Sequence, residues 1–468
     1  MNKKIIHFPM NFNLFFSARR YATTFLLMIC CLSLQAETIV SCPRGMQYQS
    51  ATCYSVCPEN YDQEGVYCRA QCRDGYSYNN LTSQCSKGFF GAFYTPDRKQ
   101  RSIAYPSTCE STSFTRAVDT RADPEVFTLL IASDTQLPWG PPGRRSSADS
   151  ELVFGKKSNH QQVEAMNAIQ QVAHTHGGTN ITGQWPNTSY VTRGGGAVTK
   201  PLGLILNGDL TAYWHDWQVD LYKQYYHTAA TDEPGVANLK LKLFPGLGNH
   251  DYANNLNRGG QGCWWNRNLE YMALGYNGCA KNATHYIKTM VSCNGVPNFE
   301  SNRVTSFDEG SLAYSFDIGR YHFIQLNNHP AYTASEIGIT DAFEWLRRDL
   351  DSASRAGKYI VINFHDYGEH MGIYNPQFVN LMASNTKNVI AVFVGHVHQV
   401  WGHTYTVPRT NIPVFRSGAA EYNTFLLVQF GKDYMNVGVV SSLLGTPRFL
   451  NHSSQRNLKT WEYSDILN

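Results

Sequence analysis

The sequence predicts an α/β fold in which two packed mixed β-sheets are flanked by helices, preceded by a small disulfide-rich module. From residue 125 onward, apolar segments of strand length alternate with amphipathic segments of helical length. The stretch "LAYSFDIGRYHFIQLN" has the pattern of a hairpin at a sheet edge. Cysteines are concentrated before residue 86. A chain of 468 residues is long enough for one large core and a smaller module.

The N-terminal segment, residues 1–36, has the pattern of a secretory signal peptide. Its four Lys and Arg residues precede the first acidic residue, Glu37, and the apolar run "FLLMICCLSLQA" ends at Ala36, where we expect cleavage. An uncleaved anchor is the alternative, because the basic region is long. The apolar run is shorter than a bilayer span, and no later segment approaches that length. We therefore expect a secreted or periplasmic protein with no stable membrane span after cleavage.

The charge balance argues against strongly anionic partners. The chain has 39 Lys and Arg residues and 36 Asp and Glu residues, and loss of the four basic residues in the signal leaves 35 against 36. The sequence contains no basic run. Neither nucleic acid nor an anionic membrane surface is expected as a partner.

Residues 37–86 form the predicted disulfide-rich module, and residues 87–124 a predicted linker. Two sets of cysteines repeat at intervals of fifteen residues: Cys42, Cys57 and Cys72, and Cys53 and Cys68. Because so short a segment cannot bury an adequate apolar core, we expect cross-links to hold it together. A zinc-binding knuckle is the alternative, but an exported chain without nearby histidines favours disulfides. The pairing of the cysteines is open, and a surface or glycan partner would suit this module.

Residues 125–468 form the predicted second domain. Strands are expected where β-branched and apolar runs end in glycine or polar residues, and helices where apolar residues recur every three or four positions. The predicted strands lie at residues 126–134, 201–209, 239–251, 312–327 (a hairpin around Ile318 and Gly319), 358–366, 388–394, 413–419 and 423–442. The predicted helices lie at residues 160–176, 213–227 and 341–353.

Two insertions interrupt this pattern. Residues 177–200 are rich in Gly and Thr and predict a surface loop. Residues 259–300 contain Cys263, Cys279 and Cys293 and predict a disulfide-tied excursion. Its Trp264 and Trp265 either bind an apolar or sugar part of a substrate or fill the insertion's own core.

Polar side chains follow five of the predicted strands. They are Asp134 and Gln136; Asp209; Asn249, His250 and Asp251; His365; and His396 and His398. Any single one could be an ordinary polar cap at a strand end. Five in succession favour one shared site, because ligands bind at the carboxyl ends of strands in α/β sheets. His329, at the end of the predicted hairpin, is a weaker candidate for contact with a substrate.

The motifs "SDTQ", "NGD", "GNHD", the lone histidine of "NFHD" and "GHVH", in this order, resemble those of the calcineurin-like metallophosphoesterases. The resemblance extends over residues ~125–445 by motif order. It implies a four-layer metallophosphoesterase sandwich and the hydrolysis of a phosphomonoester or phosphodiester. The substrate itself is open.

The resemblance also implies a centre with two divalent metal ions, Mn, Fe or Zn. Asp134 and His398 would bind the first ion, Asn249, His365 and His396 the second, and Asp209 would bridge them. Such ions lower the pKa of water so that hydroxide attacks phosphorus. His250 would then give a proton to the leaving oxygen, with Asp251 supporting it. His215 is either a further catalytic residue or a packed helix residue.

The sequence departs from the family pattern at Gln136, where the family usually has histidine. Either a ligand is lost, or the glutamine oxygen replaces the imidazole and favours Mn²⁺ at that site. If Gln136 keeps the role of metal ligand, we expect an exported metal-dependent phosphoesterase. The alternative is a surface-binding or virulence-associated protein whose phosphoesterase domain is weakly active or a scaffold.

Overall fold

The computed structural model describes most of the chain after residue 121 and short segments before it. The described residues are 122–457 with gaps at 140–147, 187–195, 228–236, 257–276 and 294, a strand at 462–465, and segments between 46 and 114. The predicted signal peptide lies outside them. Within these residues, no helix combines the length and apolar character needed to cross a bilayer.

The N-terminal module contains three hairpins that repeat at nearly the cysteine interval. Their strands are β1 Met46–Gln49, β2 Thr52–Ser55, β3 Tyr61–Glu64, β4 Tyr67–Ala70, β5 Ser77–Asn79 and β6 Gln84–Ser86. A disulfide joins Cys72 to Cys85, whose side chain is fully buried. Disulfide bonding in this module is thus confirmed for one pair.

Part of the predicted linker belongs to the same sheets. It contains the strands β7 Phe93–Tyr94, β8 Arg98–Gln100 and β9 Ile103–Ala104. These pair antiparallel with β6, β4 and β2 in turn, so the chain returns along the hairpins and completes three three-stranded sheets. Strands of two or three residues are too short to show a periodic pattern, which is why the sequence did not reveal them.

The second domain has sixteen further strands and five α-helices among the described residues. The strands are β10 Phe127–Ala132, β11 Ala173–His176, β12 Thr179–Thr182, β13 Gly203–Asn207, β14 Lys242–Gly246, β15 Val304–Phe307, β16 Tyr314–Ile318, β17 Tyr321–Gln325, β18 Tyr359–Asn363, β19 Val389–Val394, β20 Trp401–Thr406, β21 Pro413–Ser417, β22 Thr424–Phe430, β23 Tyr434–Ser441, β24 Arg448–Asn457 and β25 Glu462–Asp465. The helices are α1 Ala148–Asn167, α2 Asp216–Tyr226, α3 Gly278–Cys293, α4 Phe343–Arg355 and α5 Pro376–Ser384.

The strands form two mixed sheets. The first has the order β12-β11-β24-β23-β22-β10-β13-β14, with β25 pairing with β24, and the second has the order β15-β16-β17-β18-β19-β21-β20. Strands β10, β13 and β14 are parallel to one another, as are β17, β18, β19 and β21. The parallel strands of each sheet therefore end at one edge.

The inner faces of the two sheets pack on each other. The rings of Phe244 and Phe316, one from each sheet, stack with centroids 4.1 Å apart. The side-chain nitrogen of Asn207 donates to the carbonyl of Phe393 across the interface at 3.0 Å. Residues of α1, α2 and α3 share the core of the first sheet, and residues of α4 and α5 pack in a second core with β17, β18 and β19. This four-layer arrangement confirms the predicted fold class.

The first insertion is more regular than expected. Residues 177–200 begin with the turn of a hairpin between β11 and β12, where Gly177 and Gly178 have φ values of 55° and 80°. The preceding helix α1 starts twelve residues before its predicted position and ends at Asn167, so residues 173–176 form a strand. The polar "AHTH" segment has no apolar periodicity that would have distinguished a strand from a helix end.

A buried ionic group fastens α4 to the second sheet. His322 on β17 lies between two carboxylates, with Nδ1 2.7 Å from Asp317 Oδ1 and Nε2 2.8 Å from Asp349 Oδ2. Ser315 donates to the other oxygen of Asp349 at 3.1 Å, and Lys358 pairs with Asp317. Burial opposes the charged imidazolium, but the two carboxylates outweigh it and raise the pKa of His322 to about 9.

The free energy of unfolding should therefore depend on pH through His322. Since its folded pKa lies above that of a free histidine, its stabilisation is complete below about pH 6.5 and is lost as the pH rises through 9. The free energy of unfolding of the wild-type protein should fall by on the order of 3 kcal/mol between these pH values. We expect His322→Gln not to show this fall. Urea unfolding at pH 6 and pH 9 measures it. The exposed His176→Gln should behave as wild type, and an unchanged slope in His322→Gln would contradict this assignment.

Candidate metal centre

The predicted site residues lie on the loops that follow the parallel strands of both sheets. Several of them have a left-handed backbone conformation, which is uncommon outside glycine. The φ values are 53° at Asp134, 35° at Gln136, 53° at Asp209 and 71° at His396. These sharp turns direct the chain back over the strand ends. Strain of this kind is concentrated at functional sites in proteins.

Glycines allow the loops to approach one another closely. A Cβ atom at Gly395 would lie 2.7 Å from Asp134 Oδ2, and one at Gly208 would lie 2.9 Å from His365 Nδ1. Both distances are shorter than Cβ contacts allow, so only glycine fits at these positions. The first residue of the "GD" and "GHVH" motifs is therefore glycine for a steric reason.

One group of ligand atoms surrounds Asp134. Its Oδ1 lies 3.2 Å from His398 Nε2, and its Oδ2 accepts hydrogen bonds from Ser133 Oγ at 2.5 Å and from the backbone nitrogen of His396 at 3.0 Å. The other nitrogen of His398 lies 2.5 Å from Glu421 Oε1. Asp134 Oδ1 is buried, and among the described residues it has no hydrogen-bond donor besides its contact with His398. A buried carboxylate oxygen in this condition fits a cation ligand.

A second group surrounds His365 and His396. His365 Nε2 lies 3.2 Å from Asp209 Oδ2 and 3.3 Å from His396 Nδ1, which in turn lies 3.0 Å from Asn249 Oδ1. The remaining ring nitrogens have acceptors of their own, because His365 Nδ1 lies 2.7 Å from the carbonyl of Asn207 and His396 Nε2 lies 2.7 Å from Glu369 Oε2. In the neutral rings, the facing nitrogens therefore carry lone pairs.

Facing lone pairs of nitrogen and oxygen repel one another unless a proton or a cation lies between them. Asp209 belongs to both groups: the ligand atoms of Asp134, Asp209 and His398 lie within 4.8 Å of one another, as do those of Asp209, His365 and His396. The donor set of imidazole, carboxylate and amide oxygen suits Mn²⁺, Fe²⁺ or Zn²⁺. The residues present therefore fit two cations that share Asp209.

The electrostatics of the described site indicate the same demand for positive charge. Burial disfavours ionised carboxyls, but the imidazoles of His365 and its neighbours hold the pKa values of Asp134 and Asp209 below their usual range. Conversely, burial opposes protonated imidazoles, but the carboxylates raise the pKa of His365 to about 9 and that of His398 to about 11. A bound cation would supply this charge and take the place of the protons.

Gln136 lies inside the centre, with its amide nitrogen toward the shared carboxylate. Gln136 Nε2 donates to Asp209 Oδ2 at 2.9 Å. In this orientation the glutamine supports Asp209 as a hydrogen-bond donor. A half-turn of the amide would present its oxygen instead, since the two ends of the amide are nearly the same size. Metal ligation by Gln136 stays a prediction.

Asp251 joins two of the loops that carry the centre. It is fully buried and accepts backbone hydrogen bonds from Leu210 and Thr211 at 3.0 Å and from Gly248 at 2.9 Å. Burial, together with the charge of Asp209, raises the pKa of Asp251 to about 7, and the backbone hydrogen bonds oppose that rise. Its contacts suit the supporting role expected of it.

His250 lies beside the shared carboxylate. Its backbone nitrogen donates to Asp209 Oδ1 at 2.8 Å, and its Nδ1 lies 3.0 Å from the carbonyl of Ala212. The carbonyl can only accept, so Nδ1 carries the hydrogen of this contact. Nε2 is then the nitrogen available for proton exchange, and the catalytic role of His250 stays a prediction.

The remaining candidates have different positions. His215 is buried at the N-cap of α2, where its backbone nitrogen donates to Gln218 Oε1 at 3.3 Å. His329, on the loop after β17, is buried, its Nδ1 has no hydrogen-bond partner among the described residues, and burial lowers its pKa to about 4. Trp264 and Trp265 lie outside the described residues. The catalytic or substrate-binding roles of all four stay predictions.

Sequence reasoning missed the carboxylates that contact the ligand histidines from behind. Glu369 lies four residues after His365, and Glu421 lies four residues after the end of β21. A wider search after each strand end would have found Glu421, because β21 is another parallel strand of the second sheet. Such partners orient metal-binding imidazoles and increase their basicity.

The model of one protein family, calcineurin-like phosphoesterase, matches residues 127–400, which is more than half of the chain. The chain belongs to the calcineurin-like phosphoesterase family. This match confirms the resemblance predicted from the motifs. No curated protein sequence matches this chain.

The solved structures that resemble this chain share little sequence identity with it. PhoD is 10% identical, with 82% of this chain and 76% of PhoD covered and a TM-score of 0.42. GAP50, described as the anchor in the inner membrane complex of Plasmodium, is 12% identical, with 73% and 89% covered and a TM-score of 0.35. The sulfate thiohydrolase SoxB of Thermus thermophilus is 12% identical, with 75% and 59% covered and a TM-score of 0.31.

Removal of the carboxylate behind His398 should weaken metal binding near Asp134. We expect Glu421→Ala to lower the affinity of one of the two sites roughly 10- to 100-fold, because the imidazole loses its orienting partner. Calorimetric titration of the metal-free protein with Mn²⁺ measures this. Glu344→Ala on the exposed face of α4 serves as the control. Wild-type affinities at both sites in Glu421→Ala would show that Glu421 does not support a metal ligand.

Proposed function

We propose that this protein is an exported, metal-dependent hydrolase of phosphate esters. The observation that carries this is the convergence of two ligand groups on Asp209 at the edge where the parallel strands of both sheets end. Family membership adds that this edge belongs to a phosphoesterase domain. In the proposed assignment, Asp134, Asp209 and His398 hold one divalent ion, and Asp209, Asn249, His365 and His396 hold the other.

Two divalent ions at this position would supply positive charge for the phosphate oxygens and would lower the pKa of bound water to about 7. The protein's own groups fix the ligands before substrate arrives. Asn207 and Glu369 hold His365 and His396 from behind, and Asp251 fixes the loop that carries Asp209. Preorganisation of this kind reduces the reorganisation needed during the reaction.

His250 is the proposed proton donor in the reaction. The oxygen of water forms a new bond to phosphorus, the ester P–O bond breaks, and the leaving oxygen takes a proton from His250 Nε2. Solvent then restores that proton, so the products are an alcohol and inorganic phosphate or a phosphomonoester. The backbone contact between His250 and Asp209 supports this role, because it holds the imidazole beside the shared carboxylate.

Export is part of the proposal. The disulfide between Cys72 and Cys85 and the disulfide-bonded state of Cys279 suit an oxidising compartment. The N-terminal 36 residues have the pattern of a secretory signal. The near-neutral charge of the chain disfavours nucleic acid as substrate.

A panel of phosphate esters tests the proposal. We expect the purified mature protein to hydrolyse p-nitrophenyl phosphate or bis-p-nitrophenyl phosphate with Mn²⁺ present, and Asp209→Ala to lose roughly a thousandfold or more of every activity. The same residue type at the surface of α4, in Asp351→Ala, should retain wild-type rates.

Elemental analysis of the same samples adds a readout besides turnover. We expect two metal ions per wild-type chain and fewer in Asp209→Ala. No turnover of any ester together with no bound metal would favour the binding-protein alternative. Full activity in Asp209→Ala would discredit the shared carboxylate.

A further inference from the structure

Three aromatic rings from three successive loops lie together beside the metal centre. We call this group the aromatic wall; it consists of Trp139, Tyr213 and His250, on the loops after β10, β13 and β14. The ring of Trp139 lies 4.9 Å from that of His250, at an interplanar angle of 77°, and 6.3 Å from that of Tyr213, at 28°. The rings of Tyr213 and His250 lie 5.4 Å apart. All three side chains are half-buried.

The wall is fixed to the metal centre by backbone contacts. The nitrogen of Trp139 donates to the carbonyl of Gln136 at 2.5 Å, and the side chain of Gln136 reaches Asp209. Leu137 pairs with Thr211 as a bridge beyond the ends of β10 and β13, and the nitrogen of Ala212 donates to the carbonyl of Leu137 at 3.0 Å. The loops that carry Trp139 and Tyr213 are thus paired through their backbones beside the metal centre.

We propose that the aromatic wall binds a flat, neutral ring on the leaving group of the substrate. This inference rests on the proposed function, in which His250 protonates the leaving oxygen. Whatever is bonded to that oxygen then lies close to His250, and the rings of Trp139 and Tyr213 lie 4.9 Å and 5.4 Å from that imidazole. Offset-stacked and edge-to-face contacts with a planar ring are favourable at these separations.

The charge of the site argues for a neutral ring over a cationic head group. Aromatic cages also bind quaternary ammonium groups. Here, however, the metal centre proposed above would place two divalent ions beside the leaving group, and a cation there would be repelled by both. A neutral ring, whether an aryl group or the base of a nucleoside, avoids this repulsion. Trp139 and Tyr213 therefore determine specificity for a planar leaving group.

Two pairs of substrates test the inference. Benzyl phosphate and n-butyl phosphate both release a simple primary alcohol, and a nucleoside 5′-monophosphate and glycerol phosphate differ in the presence of a base. We expect wild-type protein to prefer the ring-bearing member of a pair in kcat/KM. Trp139→Ala should lower that preference roughly 3- to 10-fold, whereas Trp139→Phe should keep most of it. The first pair reports an aryl site and the second a nucleoside site.

Tyr213→Ala and a distant control complete the set. We expect Tyr213→Ala to lower the same preference, because it removes the second face of the wall. Tyr359→Ala, at the opposite, amino end of β18, should leave both kcat/KM values unchanged. Elemental analysis and thermal unfolding of each variant show whether the metal centre and the fold are intact.

The outcomes separate this inference from the proposed function. If wild-type protein hydrolyses neither these pairs nor either p-nitrophenyl ester with any metal, the proposed function fails. If it hydrolyses a p-nitrophenyl ester but neither ring-bearing substrate, the function stands and the inference fails. If it hydrolyses them but Trp139→Ala lowers both members of a pair equally, the function stands and the inference fails. A larger loss for a choline-bearing ester than for benzyl phosphate in Trp139→Ala would also overturn it, since the wall would then bind a cation.

Discussion

The buried carboxylate of Asp209 is the feature on which the rest of the centre depends. It lies at a left-handed turn after β13, and it receives hydrogen bonds from Gln136 and from the backbone of His250 while facing His365. A negative charge in this position requires compensating positive charge, since an unpaired buried carboxylate is strongly disfavoured. The two ligand groups are arranged around this one requirement.

The fold meets that requirement by bringing loops from two sheets to one edge. Asp134, Asp209 and Asn249 come from the first sheet, and His365 and His396 from the second. The hydrogen bond between Asn207 and Phe393 links the strands directly beneath these loops, and the carbonyl of Asn207 also holds His365. Each sheet alone thus carries only part of the proposed ligand set. The packing of the sheets is therefore a condition for the centre, and the apolar core between them has a functional consequence.

Much of this architecture could be predicted from the sequence, because it follows from local patterns of apolar and polar residues. Buried strands such as β19 are runs of β-branched and apolar residues, and the polar residues that follow them identify the ligand-bearing edge. Glycines before Asp209 and His396 indicate the sharp turns. The order of these motifs was sufficient to identify the family, and the family match over residues 127–400 confirms that identification.

Other features depend on contacts between residues far apart in the chain, and no local pattern records them. Trp139 meets His250 across more than one hundred residues. The return of residues 93–104 along the N-terminal hairpins is of the same kind, since its strands are short and its partners lie earlier in the chain. The buried ionic group around His322 likewise joins β17 to α4, and no local sequence pattern indicates that these two elements are in contact.

Anomalous diffraction from crystals grown with Mn²⁺ addresses the central claim most directly. The account predicts two anomalous peaks ~3.5–4 Å apart, both at bonding distance from the carboxylate of Asp209, one also beside His398 and the other beside His365 and His396. A single peak, or two peaks of which only one is bonded to Asp209, would contradict it.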